Sequence, residues 1–277
     1  MLEPLNSPAA RRERPLVLLH GIATDHRIWA TVAPALGRRR PTIICPDLPG
    51  FGASPPVGVG FDLAEVADAV VADLDERGVD GRFDLVGHSL GGGVAIVIAH
   101  RHPARIGRLV LVAPAGCRPL PDAVLALLTA APVAGLLNGG ADAFLAARRH
   151  VAPLTDVAWG RRLLLALSVA EPDRVPPTVA RAMLEASAAA RRTGPALAAI
   201  AAADLCPQLA AVSAPVALIW GEEDRTVPIR ALEDILRVRP EAPTVRLTHT
   251  GHVPMVEDPD RFSAALLGLL NNDTTVA

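Results

Sequence analysis

The stretch FDLVGHSLGGG, residues 83–93, decides the fold, because an apolar run passes through Gly-x-Ser-x-Gly into a helix pattern that continues to about residue 102. We expect the strand to turn into the helix within a single residue, which holds Ser89 in a strained backbone conformation and raises its Oγ above the sheet. Gly87 and Gly91 flank the serine because a Cβ at either position would collide across so tight a bend. The helix points its free N–H groups and its positive dipole end at the same place. The stretch therefore predicts a serine nucleophile beside a site that stabilises an oxyanion.

Short apolar runs alternate with helical patterns on both sides of this stretch. The runs predict buried strands over residues 15–20, 42–45, 83–86, 108–112, 215–220 and 244–248. The helical patterns cover residues 25–37, 62–78, 90–102, 195–211, 229–238 and 259–270. Alternation of this kind predicts an α/β fold, with a mostly parallel central sheet and helices on both faces.

The alternation stops between residues 114 and 194, where proline and glycine repeatedly break the helical patterns. We interpret residues 114–194 as a helical cap, inserted into a core made of residues 1–113 and 195–277. Residues 123–141 of this cap are 19 residues without a charge, which is nearly enough to span a bilayer. Proline and glycine interrupt that run, so we expect a buried helical hairpin and no association with a membrane.

Charge and residue usage exclude several classes of function. A formal net charge of -2 over 277 residues gives no reason to expect a nucleic-acid partner. All 27 basic residues are arginine, and the chain has no lysine and no tyrosine, which excludes a Schiff-base lysine, a Ser-Lys dyad and a P-loop lysine. His100 and His102 face different ways on one helix, so we expect no metal site, and we expect no cofactor.

The cysteines and the N-terminal residues bear on the compartment. Cys45, Cys117 and Cys206 are odd in number and far apart in the sequence, which suits a reducing compartment without disulfides. Residues 1–14 contain no apolar run of the kind that a signal peptide needs. We therefore expect a cytoplasmic protein.

Five motifs occur in the order typical of one family. They are LHG at residues 19–21, DLPGFGAS at 47–54, GHSLG at 87–91, GEEDRTVP at 221–228, and GHVP at 251–254 with Glu257 and Pro259 behind it. With these motifs the chain resembles the α/β-hydrolase fold family from about residue 16 to about residue 270. The resemblance implies the fold of that family, a helical cap and a Ser-Asp-His catalytic triad.

The triad is implied by the chain order of the family, which is nucleophile, acid and histidine. Ser89, Asp224 and His252 stand in that order, at the ends of three predicted strands. On this resemblance His252 takes the proton from Ser89 Oγ, while Asp224 accepts a hydrogen bond from the other ring nitrogen of the histidine.

Three nearby side chains are alternatives for two of these roles. Glu222 and Glu223 compete with Asp224 as the acid, although they lie closer to the strand end than the acid of this family usually does. His249 competes with His252 as the base. His249 closes a predicted strand, whereas His252 follows a glycine in a loop that can reach the site.

The resemblance also implies an oxyanion hole made of two backbone N–H groups, those of Ile22 and Leu90. Their side chains would then matter for the shape of the pocket and not for the charge. Five further residues are expected to support the tight turn at Ser89, called the elbow below, and the loop that carries Ile22, called the oxyanion loop, without doing chemistry: His20, Gly21, Gly87, His88 and Gly91.

One departure from the family pattern concerns the N-terminus. Relatives usually have two antiparallel strands before the strand that ends at His20, but residues 1–14 contain Leu2 and Leu5 as their only branched aliphatic residues and cannot supply such strands. The strand at residues 42–45 would then form an exposed sheet edge, which invites pairing with a second subunit. A homodimer is therefore a hypothesis.

The residue types at the elbow favour acyl transfer through an acyl-enzyme on a small-molecule substrate. A carboxylic ester, lactone or thioester fits best, in a largely apolar pocket lined by Phe144, Trp159, Met183 and Val253. Carbon–carbon bond hydrolases of the family tend to carry asparagine before the serine, where this chain has His88. Such a hydrolase, a non-hydrolytic lyase or cyclase with the same triad, and a ligand-binding receptor module remain alternatives, because a fold does not determine a function.

Overall fold

The computed structural model describes residues 14–40, 42–118 and 140–271. Its strands are β1 Leu16–Leu19, β2 Ile43–Ile44, β3 Phe83–His88, β4 Ile106–Val112, β5 Val216–Gly221 and β6 Thr244–Leu247. They form one six-stranded sheet in the order β2-β1-β3-β4-β5-β6. All five neighbouring pairs are parallel. The predicted α/β fold with a mostly parallel sheet is therefore confirmed.

Helices connect the strands and cover the sheet. The α-helices are α1 Ala33–Gly37, α2 Leu63–Glu76, α3 Leu90–Arg101, α4 Ala141–Val151, α5 Ala158–Leu165, α6 Pro177–Ala189, α7 Thr193–Ala202, α8 Cys206–Ala210, α9 Arg230–Val238, α10 Pro254–Glu257 and α11 Pro259–Asn271. Short 3-10 turns span His26–Trp29, Pro103–Arg105, Ala152–Asp156 and Pro172–Arg174. Between β4 and β5, the described residues form helices and no strand. The division into a core and a cap at residues 114–194 stays a prediction.

The sheet divides the apolar core into two layers, as β1 shows. Val17 and Leu19 contribute to one layer, whereas Leu16 and Leu18 contribute to the other, because successive side chains of a strand point to opposite faces. Helices α2 and α3 cover the first layer, and α1 and α11 cover the second. Burial on both faces explains why the strands are continuous apolar runs in the sequence. The carboxyl ends of the parallel strands meet at one edge, where their loops come together.

Two predicted helices are each divided in the structure. The helix predicted over residues 25–37 is a 3-10 turn followed by α1, because Pro34 has no N–H and its ring would clash with the carbonyl of Ala30 in a continuous helix. The helix predicted over residues 195–211 is α7 followed by α8. Pro207 stands in the first turn of α8 and would clash in the same way with the carbonyl of Ala203.

The position of β2 at the edge of the sheet agrees with the sequence. Within the described residues β2 pairs with β1 alone and is half-buried. Pairing of this edge with a second subunit stays a prediction. The expected lack of N-terminal strands concerns residues 1–13, and most of the expected hairpin falls on residues 119–139, so both lie outside the described residues. Of the helices that are described, none has the length and apolar character needed to cross a membrane.

Candidate active site

The elbow between β3 and α3 has the strained geometry that the sequence predicts. Ser89 has φ 53° and ψ -117°, in the left-handed half of backbone space, which costs a residue with a Cβ about 1–3 kcal/mol. Its N–H donates to the carbonyl of Val112 at 3.0 Å, and its carbonyl accepts N–H groups from Gly92 at 2.9 Å, Gly93 at 3.1 Å and Ala115 at 3.0 Å. These bonds hold the serine in place against its own strain.

Glycines let the β1 loop and α3 approach the elbow closely. A Cβ on Gly21 would lie 2.9 Å from His88 Nδ1 and 3.2 Å from Ser89 Cβ, so the loop after β1 passes directly over the serine. A Cβ on Gly91 would lie 2.7 Å from a carbonyl oxygen of β1, and one on Gly87 would lie 2.7 Å from the Cβ of an α3 alanine. A larger residue at any of the three positions therefore has no room.

The loops after β5 and β6 bring a carboxylate and an imidazole together. Asp224 Oδ2 lies 2.7 Å from His252 Nδ1, and both side chains are buried. The other carboxylate oxygen, Oδ1, accepts the N–H of Thr226 at 2.8 Å and the N–H of Val227 at 2.9 Å. With its carboxylate held this way, Asp224 accepts the Nδ1–H of His252 and leaves Nε2 as the basic nitrogen of the ring.

The alternative acids and base lie on the surface. Glu222 and Glu223 are exposed, and Glu223 Oε1 is 3.6 Å from Nδ1 of His249, whose side chain is 71% exposed. Among the ion pairs of the described residues, His252 has Asp224 as its partner. The geometry thus favours Asp224 and His252 over their rivals.

His88 connects the elbow to the His252 loop. Its Nε2 lies 2.8 Å from the carbonyl oxygen of His252 and donates to it, and the two rings are 4.7 Å apart between centroids. Burial, and then the nearby ring of His252, hold the pKa of His88 well below its usual value, so the His88 ring is neutral. The sequence predicts only a supporting role for His88. The position of His88 next to Ser89, at the end of a buried strand, was the sole signal in the sequence for its bond to the His252 loop.

A direct hydrogen bond between Ser89 and His252 is absent from the part of the chain that the structure describes. Serine–histidine contacts of this kind are often long without substrate and shorten when it binds. His88, the residue before Ser89, hydrogen-bonds the carbonyl of His252 and so links the elbow to the histidine loop. Proton transfer from Ser89 to His252 stays a prediction.

His20 holds the predicted oxyanion loop. Its Nδ1–H donates to the carbonyl of Gly21 at 2.8 Å, and its Nε2 accepts the N–H of Leu48 at 2.9 Å. Burial lowers the pKa of His20, which keeps the ring neutral and able to accept. In the described loops no hydrogen bond uses the N–H of Ile22 or of Leu90, as an oxyanion site requires.

Residues 166–170 form a seam between the predicted cap and the loops that carry the candidate acid and base. The carbonyl oxygens of this seam accept hydrogen bonds from the Arg225 guanidinium at 3.2 Å, the Thr226 hydroxyl at 3.0 Å and the backbone N–H of His252 at 2.9 Å. These donors lie directly beside Asp224 or are His252 itself. The position of residues 166–170 is thereby coupled to the positions of both candidate catalytic loops.

Glu257 completes this seam from the core side. Its carboxylate accepts the N–H groups of Ala170 at 2.7 Å, Gly251 at 2.9 Å and Val253 at 3.2 Å. Burial raises the pKa of Glu257, and these backbone N–H groups oppose that shift. The residues on both sides of His252 are therefore held by one buried side chain, which the sequence shows only as part of a motif.

The predicted pocket residues differ in their exposure to solvent. Phe144 is 73% exposed and Trp159 is 57% exposed, and their place in a substrate pocket stays a prediction. Met183 lines a groove of about 240 Å³ between α6 and the turn after β1, together with Ile28. Val253 is buried in the core layer next to α11.

Known proteins are similar to this chain in sequence. A family model described as "Alpha/beta hydrolase family" matches residues 16–265. A pimeloyl-(acyl-carrier protein) methyl ester esterase from Aromatoleum aromaticum is 31% identical over 88% of this chain and 93% of its own length. A 2-hydroxymuconate semialdehyde hydrolase from Pseudomonas sp. strain CF600 is 40% identical over 37% of each chain.

A solved structure agrees with the fold. The crystal structure of a hydrolase from Pseudomonas aeruginosa PA01 is 28% identical and superposes with a TM-score of 0.73 over 94% of this chain and 91% of that one. The elbow at Ser89, the parallel sheet below it and the match over residues 16–265 lead to one conclusion. This chain belongs to the alpha/beta hydrolase family.

Proposed function

We propose that this hydrolase cleaves small to medium, largely apolar carboxylic esters, lactones or thioesters through an acyl-enzyme on Ser89. The observation that supports this most is the buried Asp224–His252 pair, 2.7 Å between Oδ2 and Nδ1, beside an elbow in which Ser89 has positive φ. A Ser-His-Asp arrangement is recognised by its geometry and roles. The relative named as a methyl ester esterase supports the same reaction class.

The first half of the proposed reaction forms the acyl-enzyme. Nε2 of His252 takes the proton of Ser89 as Oγ attacks the carbonyl carbon, and Asp224 stabilises the imidazolium that results. The carbonyl oxygen becomes negative and receives hydrogen bonds from the N–H groups of Ile22 and Leu90. Loss of one such donor typically costs about 3 kcal/mol of transition-state stabilisation. His252 then returns its proton to the leaving alcohol or thiol.

The second half uses water in place of the serine. His252 takes a proton from a water molecule that attacks the acyl carbon, and it returns the proton to Ser89 Oγ when the acid leaves. His88 assists because its neutral ring, 4.7 Å from that of His252, adds no repulsion when His252 becomes positive. Its bond to the His252 carbonyl holds the loop throughout.

Short-chain p-nitrophenyl esters and a fluorophosphonate probe test this proposal. We expect the wild-type chain to turn over the esters and to bind the probe covalently, and Ser89→Ala and His252→Ala to lose both properties. His249→Ala is the matched control, because its side chain is exposed and contacts Glu171 and Glu223. Labelling without turnover would instead indicate a non-hydrolytic enzyme or a receptor. Loss of activity in His249→Ala as severe as in His252→Ala would contradict the assignment of the base.

Carbon–carbon bond hydrolysis is the second candidate, and the 2-hydroxymuconate semialdehyde hydrolase among the relatives favours it. That match covers 37% of this chain, and His88 stands where such hydrolases tend to carry asparagine. A comparison of kcat/KM for 2-hydroxymuconate semialdehyde and for p-nitrophenyl butyrate distinguishes the two. A higher value for the semialdehyde would replace the ester proposal.

A further inference from the structure

Cys117 and Cys206 lie together, the first shortly after the end of β4 and the second at the start of α8. The N–H of Leu205 donates to the carbonyl of Gly116 at 2.8 Å, which pairs the two segments immediately before the cysteines. Cys206 Sγ is 3.6 Å from the carbonyl oxygen of Cys117, and each thiol shifts the pKa of the other. The fold brings them together across residues 118–205, which include nearly all of the predicted cap.

The two thiols differ in reactivity. Cys206 is partly exposed, whereas Cys117 is buried. The hydrogen bond from Cys117 lowers the pKa of Cys206, although burial and the carboxylates of Asp204 and Asp234 oppose this, and the same hydrogen bond raises the pKa of Cys117. A thiolate is the nucleophilic form of cysteine. Cys206 therefore reacts first with an oxidant, and Cys117 is in place to resolve the product.

We propose that Cys117 and Cys206 form a reversible thiol–disulfide site that links the segment after β4 to the start of α8, a property beyond the proposed ester hydrolysis. The oxidant is a peroxide. The sulfur of Cys206 attacks one peroxide oxygen and becomes a sulfenic acid while water leaves. The sulfur of Cys117 then attacks that of Cys206 and expels a second water. Two thiols and one hydrogen peroxide thus give one disulfide and two waters, and a dithiol reverses the change.

The segment that carries Cys117 also contacts the elbow, so we expect oxidation to affect Ser89. The N–H of Ala115 donates to the carbonyl of Ser89 at 3.0 Å, so the segment that carries Cys117 is bound to the candidate nucleophile. A disulfide bond is shorter than a contact between two thiols, so its formation draws this segment toward Cys206. Because small misplacements of reacting groups cost large factors in rate, we expect kcat for an ester to fall about tenfold. This expectation, unlike the disulfide itself, rests on the proposed function.

Mass spectrometry of the full-length chain after hydrogen peroxide treatment tests the site without reference to activity. We expect the wild type to lose the mass of two hydrogen atoms and trypsin to release peptides 109–148 and 193–225 joined to each other. Cys117→Ser and Cys206→Ser should show neither change. Cys45→Ser is the matched control and should behave as the wild type, because burial raises the pKa of Cys45 to about 12.

Other outcomes would overturn one part of the inference each. Sulfinic acid at Cys206, unreacted thiols, or the same mass loss in Cys206→Ser would exclude the disulfide site. An unchanged kcat after complete and reversible oxidation would exclude its influence on the elbow. A reduced wild type with no ester turnover would count against the proposed function and would leave the mass result valid.

Discussion

Substitution of Asp224 by asparagine tests the candidate triad through the orientation of one amide. In the wild type, Oδ1 of Asp224 accepts the N–H groups of Thr226 and Val227 at 2.8 and 2.9 Å, while Oδ2 faces His252 Nδ1. An asparagine keeps its single oxygen toward the two backbone N–H groups, so its NH₂ group faces the imidazole. Nδ1 must then accept, which moves the ring proton to Nε2 and leaves no base for Ser89.

The size of the effect follows from the cost of reversing that amide. Reversal would restore the required tautomer of His252 but would leave two backbone N–H groups unpaired, at about 1–3 kcal/mol each. A total of about 2–6 kcal/mol, at about 1.4 kcal/mol per tenfold change in rate, corresponds to a loss between about 30-fold and about 10⁴-fold. We expect kcat for p-nitrophenyl butyrate to fall within this range in Asp224→Asn.

Glu223→Gln is the control for Asp224→Asn, since it removes a neighbouring carboxylate that is 43% exposed and faces His249. We expect its kcat to stay within about twofold of the wild type, as is usual for surface substitutions. Melting curves of both variants establish that the fold is intact. A kcat of more than about a third of the wild-type value in Asp224→Asn would refute the reasoning. An equal loss in Glu223→Gln would refute it too.

Three further predictions concern stability. Glu257→Gln leaves at least one buried N–H group without an acceptor, so its free energy of unfolding in urea should fall by about 1–3 kcal/mol. A variant as stable as the wild type would show that the carboxylate of Glu257 does not stabilise these loops. The pKa values of His20 and His88 are lowered in the folded chain. Below about pH 6.5, the usual pKa of histidine, the unfolded chain therefore binds more protons than the folded chain does. The free energy of unfolding that is present above that pH is lost as the pH falls. Urea unfolding across that pH range should show a smaller loss in His88→Asn, and an equal loss would argue against burial of this ring. Gly91→Ala places a Cβ 2.7 Å from a carbonyl oxygen of β1 and should lower the melting temperature. Gly268→Ala, whose Cβ would meet no neighbouring side chain or loop within 4 Å, should raise the melting temperature slightly. Equal melting temperatures of the two variants would contradict the crowding at the elbow.

The sheet and the elbow could be predicted from the sequence because their signals are local. Each strand, buried on both faces, is a continuous apolar run, and all six strands begin and end within two residues of their predicted limits. Gly-x-Ser-x-Gly demands an unusual backbone at Ser89, and the structure has it. The prediction of one continuous helix over residues 25–37 was wrong because it relied on apolar spacing and neglected Pro34, a local signal that was present in the sequence.

Contacts between remote segments could not be predicted in this way. No spacing indicates that the carboxylate of Glu257 accepts the N–H of Ala170, or that Cys117 meets Cys206, because each pair depends on how the helices between β4 and β5 pack. Apolar character alone does not tell whether a helix face meets the core or water. The exposed side chains of Phe144 and Trp159 could accordingly not be predicted from their apolar character.

The seam at residues 166–170 limits how this chain can be engineered. Its hydrogen bonds to Arg225, Thr226 and His252, and its bond to Glu257, use backbone groups of one partner and specific side chains or loops of the other. A cap grafted from another hydrolase would lose these hydrogen bonds, unless the grafted cap and the loops that carry Asp224 and His252 were exchanged together. Recombination of this chain with a relative should therefore place its crossovers outside residues 166–170, outside the loop after β5 and outside the loop after β6.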